Sequence, residues 1–83
     1  MSYRIRTLHV FTSIGADGDE GVVAFWDPTR GWMPLVAADE RRLESFRPMA
    51  QAIADKSGRH IMLARFTVRE ELDTIIPKGA ARE

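Results

Sequence analysis

Five consecutive residues, Asp17-Gly18-Asp19-Glu20-Gly21, bring three carboxylates together and could in principle hold a calcium ion. Calcium takes roughly six to eight oxygen ligands, and an EF-hand loop needs flanking helices and a closing glutamate at its twelfth position. The flanking segments here alternate like strands, and the twelfth residue counted from Asp17 is Pro28. The pattern therefore predicts an exposed acidic hairpin loop without a bound metal.

The two histidines, His9 and His60, lie in segments that are predicted to be neighbouring strands, which makes them candidates for a shared site. Two imidazoles without a third ligand make a weak metal site, and a histidine base would need a positioned serine or carboxylate that no pattern supplies. The chain has no cysteine, and its 6 glycines form neither a phosphate loop nor a dinucleotide fingerprint. We expect structural histidines, no cofactor and no enzymatic activity.

Two tryptophans flank a segment with strong turn chemistry, Asp27-Pro28-Thr29-Arg30-Gly31. A five-residue loop of this kind sets Trp26 opposite Trp32 on paired strands and Phe25 opposite Met33. Strand alternation places the two indoles on the same face as His9 and Phe11 of the first strand. Arg42, at the edge of the apolar helical stripe described below, is added to this set. The candidate interaction surface consists of Trp26, Trp32, Pro34, His9, Phe11 and Arg42. The opposite face, predicted to hold the main helix, consists of Leu8, Val10, Val23, Phe25, Met33 and Leu35.

Four strands are predicted over residues 3–12, 22–26, 32–36 and 60–66, because these segments are rich in β-branched and aromatic side chains. Neither face of the first strand is purely polar, and the fourth is apolar on both faces at its centre, so we expect both in the interior of the sheet. Pro34 has no N–H to donate to a ladder and places the third strand at the edge.

The strongest local signal is an amphipathic helix between Asp39, a good N-cap, and Gly58, a good C-terminal stop. Its apolar stripe, which should pack on a sheet, is formed by Leu43, Phe46, Ala50 and Ile53. Pro48 projects away from the stripe and predicts a kink on the solvent side of one long helix. The alternative is two short helices separated near residues 45–47.

A capping box at Thr67-Val68-Arg69-Glu70 predicts a short C-terminal helix. The element order is then βββαβα, an α+β two-layer sandwich with the long kinked helix on one face. A crossover through that helix predicts a mixed four-stranded sheet of order 3-2-1-4, with strand four parallel to strand one. We expect a single compact domain over residues 1–77 and a frayed tail over residues 78–83.

The 83 residues carry 12 basic and 12 acidic side chains, a net charge of +0. Dedicated binders of nucleic acid or anionic membranes usually carry a basic excess, so neither partner is expected. No apolar run approaches the roughly 18 residues of a membrane span. The absence of cysteine fits a reducing compartment and predicts a cytoplasmic protein.

These patterns favour a small interaction or accessory module that self-associates, as a homodimer, through its aromatic sheet face or an edge strand. Its partner is a second copy or another protein. The alternative function is a nucleic-acid-binding module whose sheet aromatics stack on bases. A third interpretation is structural, because the short C-terminal helix or a bent loop could cover the aromatic face as ordinary core.

Overall fold

The central element of the fold is the first strand, which pairs with other strands along both of its edges. The computed structural model describes residues 4–79, so Tyr3 and residues 80–83 of the predicted tail lie outside the described residues. In chain order the elements are β1 Leu8–Ile14, β2 Glu20–Val22, β3 Ala24–Asp27, β4 Gly31–Pro34, β5 Val36–Ala37, α1 Glu40–Ser57 and β6 Met62–Phe66.

One edge of β1 pairs along its length with β6, from Leu8 opposite Phe66 to Thr12 opposite Met62. The other edge is divided between two strands. Its C-terminal half pairs with β2, and its N-terminal half pairs with β5 through His9 and Val10. All three pairings are antiparallel, and the fold is the predicted α+β class with one main helix.

The two strands that share one edge of β1 separate at a three-way junction of backbone hydrogen bonds. The Phe11 N–H donates to the Leu35 carbonyl (3.1 Å), and the Val23 N–H donates to the Phe11 carbonyl (2.8 Å). The Leu35 N–H closes the triangle by donating to the Val23 carbonyl (2.8 Å). Beyond this junction β3 and β4 pair only with each other in the described structure, as a two-stranded ribbon over residues 24–34.

The predicted direction of the last strand is wrong. β6 lies beside β1 as expected, but it is antiparallel to β1, so the sheet is not mixed. The crossover through the helix makes β6 parallel to the strand that precedes the helix, which is β5. Because β5 is antiparallel to β1, β6 is antiparallel to β1 as well. The pairings predicted between strands 3 and 2, 2 and 1, and 1 and 4 all occur. The predicted third strand is divided into β4 and β5, and β5 also pairs with β1. In the described structure β6 pairs with β1 alone, so it is an edge strand and not an interior one.

Helix α1 begins and ends where the sequence predicts. The Asp39 carboxylate accepts a hydrogen bond from the Arg42 N–H (2.8 Å), and Gly58 adopts a left-handed φ of 74° with its N–H bonded to the Ala54 carbonyl. The predicted stripe is the contact face. Leu43, Phe46 and Ala50 are buried, and Ile53 packs against them at the margin.

A single helix runs through Pro48, which is exposed, so the alternative of two short helices is wrong. Because proline removes one helical hydrogen bond and crowds the preceding turn, Pro48→Ala is expected to raise the free energy of unfolding by about 1–3 kcal/mol. Urea denaturation measures this change. Gln51→Ala, at another exposed position of the same helix, is the control and should shift stability by less than about 0.5 kcal/mol. An unchanged or lower stability of Pro48→Ala would contradict the expectation.

The helix packs on the odd-numbered residues of β1 and of the 20–37 hairpin. Phe25 meets Phe46 with ring centroids 6.4 Å apart. The remaining buried residues of this core are Phe11, Val23, Leu35, Ala37, Leu43 and Ala50. The helix face of the hairpin is therefore as predicted, but β1 turns its opposite face to the helix, with Phe11 inside and Val10 outside.

The predicted short C-terminal helix is absent. Residues 67–79, here called the C-terminal arm, contain neither helix nor strand, and their side chains are exposed. Its start is tied to the body of the protein through a hydrogen bond from the Arg69 guanidinium to the Ile5 carbonyl (3.2 Å). A helix of about ten residues is marginal in water unless an apolar face is packed, and among the described residues the arm meets no surface on which to pack.

Candidate interaction surface

The turn between β3 and β4 fixes the two tryptophans side by side. The Asp27 carboxylate accepts from the N–H groups of Thr29 (2.8 Å) and Arg30 (3.1 Å). Gly31 takes a φ of 83°, a conformation that side chains with a Cβ rarely adopt. The predicted register is confirmed, with Trp26 opposite Trp32 and Phe25 opposite Met33.

The two indoles contact each other but leave most of their surface in solvent. Their ring centroids are 5.5 Å apart at an interplanar angle of 68°, an edge-to-face pair. Trp26 is 59% exposed and Trp32 is 68% exposed. Because Phe25 and Val23 point to the helix, alternation places both tryptophans on the other face of the hairpin.

That face continues across the main sheet, and we call it the open face. Directly opposed residues of antiparallel strands share a side, so the register of β1 with its three partners defines the members in the main sheet, and the register of β3 with β4 defines those in the ribbon. Its apolar members are Leu8, Val10, Ile14, Val22, Ala24, Trp26, Trp32, Pro34, Val36, Met62, Ala64 and Phe66. Val10 is buried among its neighbours, whereas the large side chains at the margin of the face are exposed. No helix in the described residues 4–79 lies on it.

Two of the predicted surface residues lie on the other side of the sheet. His9 and Phe11 are buried on the helix side, because β1 pairs Val10 and Thr12, and not their odd neighbours, with the outward residues of the hairpin. The prediction failed because β1 is apolar on both faces, so its alternation does not indicate which face meets the helix. A shift of one residue in register exchanges the two faces of a strand.

The remaining predicted residues divide between the layers. Pro34 is exposed in β4 beside the tryptophans, opposite Ala24. Arg42 is exposed in the first turns of α1, in the layer on the other side of the sheet. The structure therefore brings Pro34, Trp26 and Trp32 together and leaves Arg42 apart from them.

The histidines do not form a shared site. His9 pairs in register with Arg65, whose Nε donates to the His9 Nε2 at a long 3.4 Å, while the buried His9 Nδ1 has no partner. His60 is exposed before β6 begins and is five residues away from Arg65 along the chain. Within residues 4–79, no group of three or more potential ligands could hold a metal ion.

The acidic segment forms the predicted hairpin loop between β1 and β2. The Asp17 carboxylate accepts from the Asp19 N–H (3.0 Å), and Glu20 accepts from the Thr12 hydroxyl (2.7 Å). Two of the three acids are thus used within the protein's own hairpin.

Sequence reasoning missed a groove at the end of the open face. It has a volume of about 540 Å³ and is lined by Arg4, Ile5, Arg6, Leu8, Phe66 and Arg69. Leu8 and Phe66 form part of its apolar lining and belong to the open face, and the three arginines stand around them. The alternation Met62, Ala64, Phe66 was the available signal, but the antiparallel register that aligns it with β1 is not visible in one sequence.

Comparisons with family models, with curated proteins and with solved structures find no match to this chain. The fold and the open face define a structural class: a small α+β domain with an apolar sheet face on which no helix of the described residues lies. None of the described helices is long and apolar enough to cross a membrane.

Proposed function

We propose that the protein is a small cytoplasmic interaction module whose open face binds a second copy of the chain in a two-fold dimer. Its role is binding and not catalysis. The observation that carries the proposal is the tryptophan pair, since both indoles are more than half exposed at the end of an apolar sheet face. Contiguous exposed apolar patches on small proteins usually mark interaction sites.

The energetic argument concerns stability. A domain of this size without disulfides gains only about 3–5 kcal/mol from its own core. Each buried tryptophan removes on the order of 150–250 Å² from water, at about 25 cal/mol per Å². Association that covers both indoles therefore adds several kcal/mol to a protomer with little stability to spare.

A second copy is the partner that the charge distribution favours. The net charge of +0 removes the long-range repulsion that opposes association of identical chains. A two-fold axis places the same face on both sides, so apolar surface meets apolar surface. The edge of β6 is a second route, because Met62 and Leu63 are partly exposed on a strand with one free edge in the described structure.

Sedimentation equilibrium of the wild-type chain, from about 1 to about 100 µM, tests the proposal, with acrylamide quenching of the indoles at each concentration. We expect a dimer whose tryptophan fluorescence becomes protected as the dimer forms. A monomer over the whole range, with both indoles accessible to the quencher, would refute self-association. It would leave the face to a different protein.

One observation favours the alternative of single-stranded nucleic acid. Arg4 and Arg6 line the groove together with Phe66, and cationic side chains beside an exposed aromatic ring suit phosphate and base together. Fluorescence anisotropy of a labelled oligonucleotide, titrated at two salt concentrations, decides the matter. Binding that weakens steeply with salt supports this function, and the absence of binding at low salt rules it out.

A further inference from the structure

The C-terminal arm carries an apolar stripe that no residue of the described range 4–79 covers. Val68 is 94% exposed, Leu72 85%, Ile75 92% and Ile76 55%. The four residues are spaced at i, i+4, i+7 and i+8, which is one side of an α-helix. The segment thus has the sequence of an amphipathic helix and lacks the surface that such a helix needs.

The protomer has the dimensions of a chain with an unpacked projection. Its radius of gyration is 16.3 Å and its longest extent is 54 Å. A compact domain of this length has a radius of about 12 Å. The excess is what an extended, unpacked arm produces.

We propose that the C-terminal arm of one copy folds as a helix in the groove of a second copy, and that the exchange is reciprocal. The groove offers Ile5, Leu8 and Phe66 to an apolar stripe. In the single protomer the start of the arm borders the groove through Arg69, but the four stripe residues are exposed and do not fill it. The inference rests on the proposed self-association and names the segment that completes it.

The charges of the arm and the groove are complementary. In helical projection Glu71 and Asp73 flank the apolar stripe, one on each side. The groove is lined by Arg4 and Arg6 beside its apolar residues, and Glu71 already contacts Arg69 within the arm. An acidic amphipathic helix is therefore the kind of occupant that this groove fits.

The first test compares two full-length variants that add the same charge to the arm. Leu72→Asp places the charge in the stripe and should raise the dimer Kd by about tenfold or more in sedimentation equilibrium. Thr74→Asp lies on the opposite side of the projected helix and should change the Kd by less than about twofold. Leu72 makes no core contacts in the protomer, so the circular dichroism of the Leu72→Asp monomer should show that its fold is kept.

The second test uses the absence of cysteine from the chain. Full-length Leu72→Cys and Phe66→Cys chains of different mass, mixed under mild oxidation, should form a mixed disulfide. Thr74→Cys with Phe66→Cys is the control and should not. A dimer of unchanged Kd in Leu72→Asp, together with no mixed disulfide, would overturn the exchange while leaving self-association through the open face intact. A wild-type monomer at all concentrations would refute both.

Discussion

Replacement of Trp26 and Trp32 together by serine is expected to give a folded monomer. Neither indole belongs to the core under α1, and each contacts the other at 5.5 Å on an exposed face. Their removal should therefore lower the stability of the protomer only slightly and should strongly weaken an interface that covers them.

The expected loss is large because tryptophan is the residue most often found at the energetic centre of interfaces, at about 2 kcal/mol or more for each. The pair should raise the dimer Kd by about a thousandfold. Sedimentation equilibrium measures the change, and near-native far-UV circular dichroism shows that the monomer is folded.

The matched control removes two exposed side chains from the other layer, as Arg41→Ser with Gln51→Ser. This variant should dimerise like the wild type, because both positions lie on the solvent side of the helix. A double tryptophan variant that dimerises as tightly as the wild type would move the interface away from the ribbon, to the edge of β6 or to another surface.

Leu35→Ala is expected to unfold much of the protein at 37 °C. Leu35 is 0% exposed, and its backbone closes the junction with Phe11 and Val23. Truncating a fully buried leucine leaves a cavity and costs about 2–5 kcal/mol. That loss is comparable to the whole stability that a core of this size provides, about 3–5 kcal/mol.

Thermal and urea denaturation at one fixed protein concentration measure the loss, since the stability of an associating protein depends on concentration. Met49→Ala is the control, because Met49 is exposed on a helix where alanine is well tolerated, and it should change stability by less than about 1 kcal/mol. A melting temperature of Leu35→Ala within a few degrees of the wild type would show that the junction is not part of the stabilising core.

The sequence alone determined the elements whose causes are local. Asp39, the apolar stripe and Gly58 specify α1 within a few residues, because a cap, a periodicity of 3.6 and a left-handed stop all act inside the helix itself. The turn from Asp27 to Gly31 likewise sets Trp26 opposite Trp32, since loop length fixes the register of a hairpin. The tryptophan pair, the main candidate site, was therefore predictable.

Tertiary structure alone decided which face of β1 meets the helix, the direction of β6 and the state of the C-terminal arm. β1 is apolar on both faces, so its orientation depends on backbone hydrogen bonds from Phe11 to residues twelve and more positions away. The direction of β6 follows from which strand the crossover leaves, a property of the whole topology. The arm has the spacing and the capping box of a helix, but a short helix is stable only against a surface, and the part of the chain that the structure describes provides none.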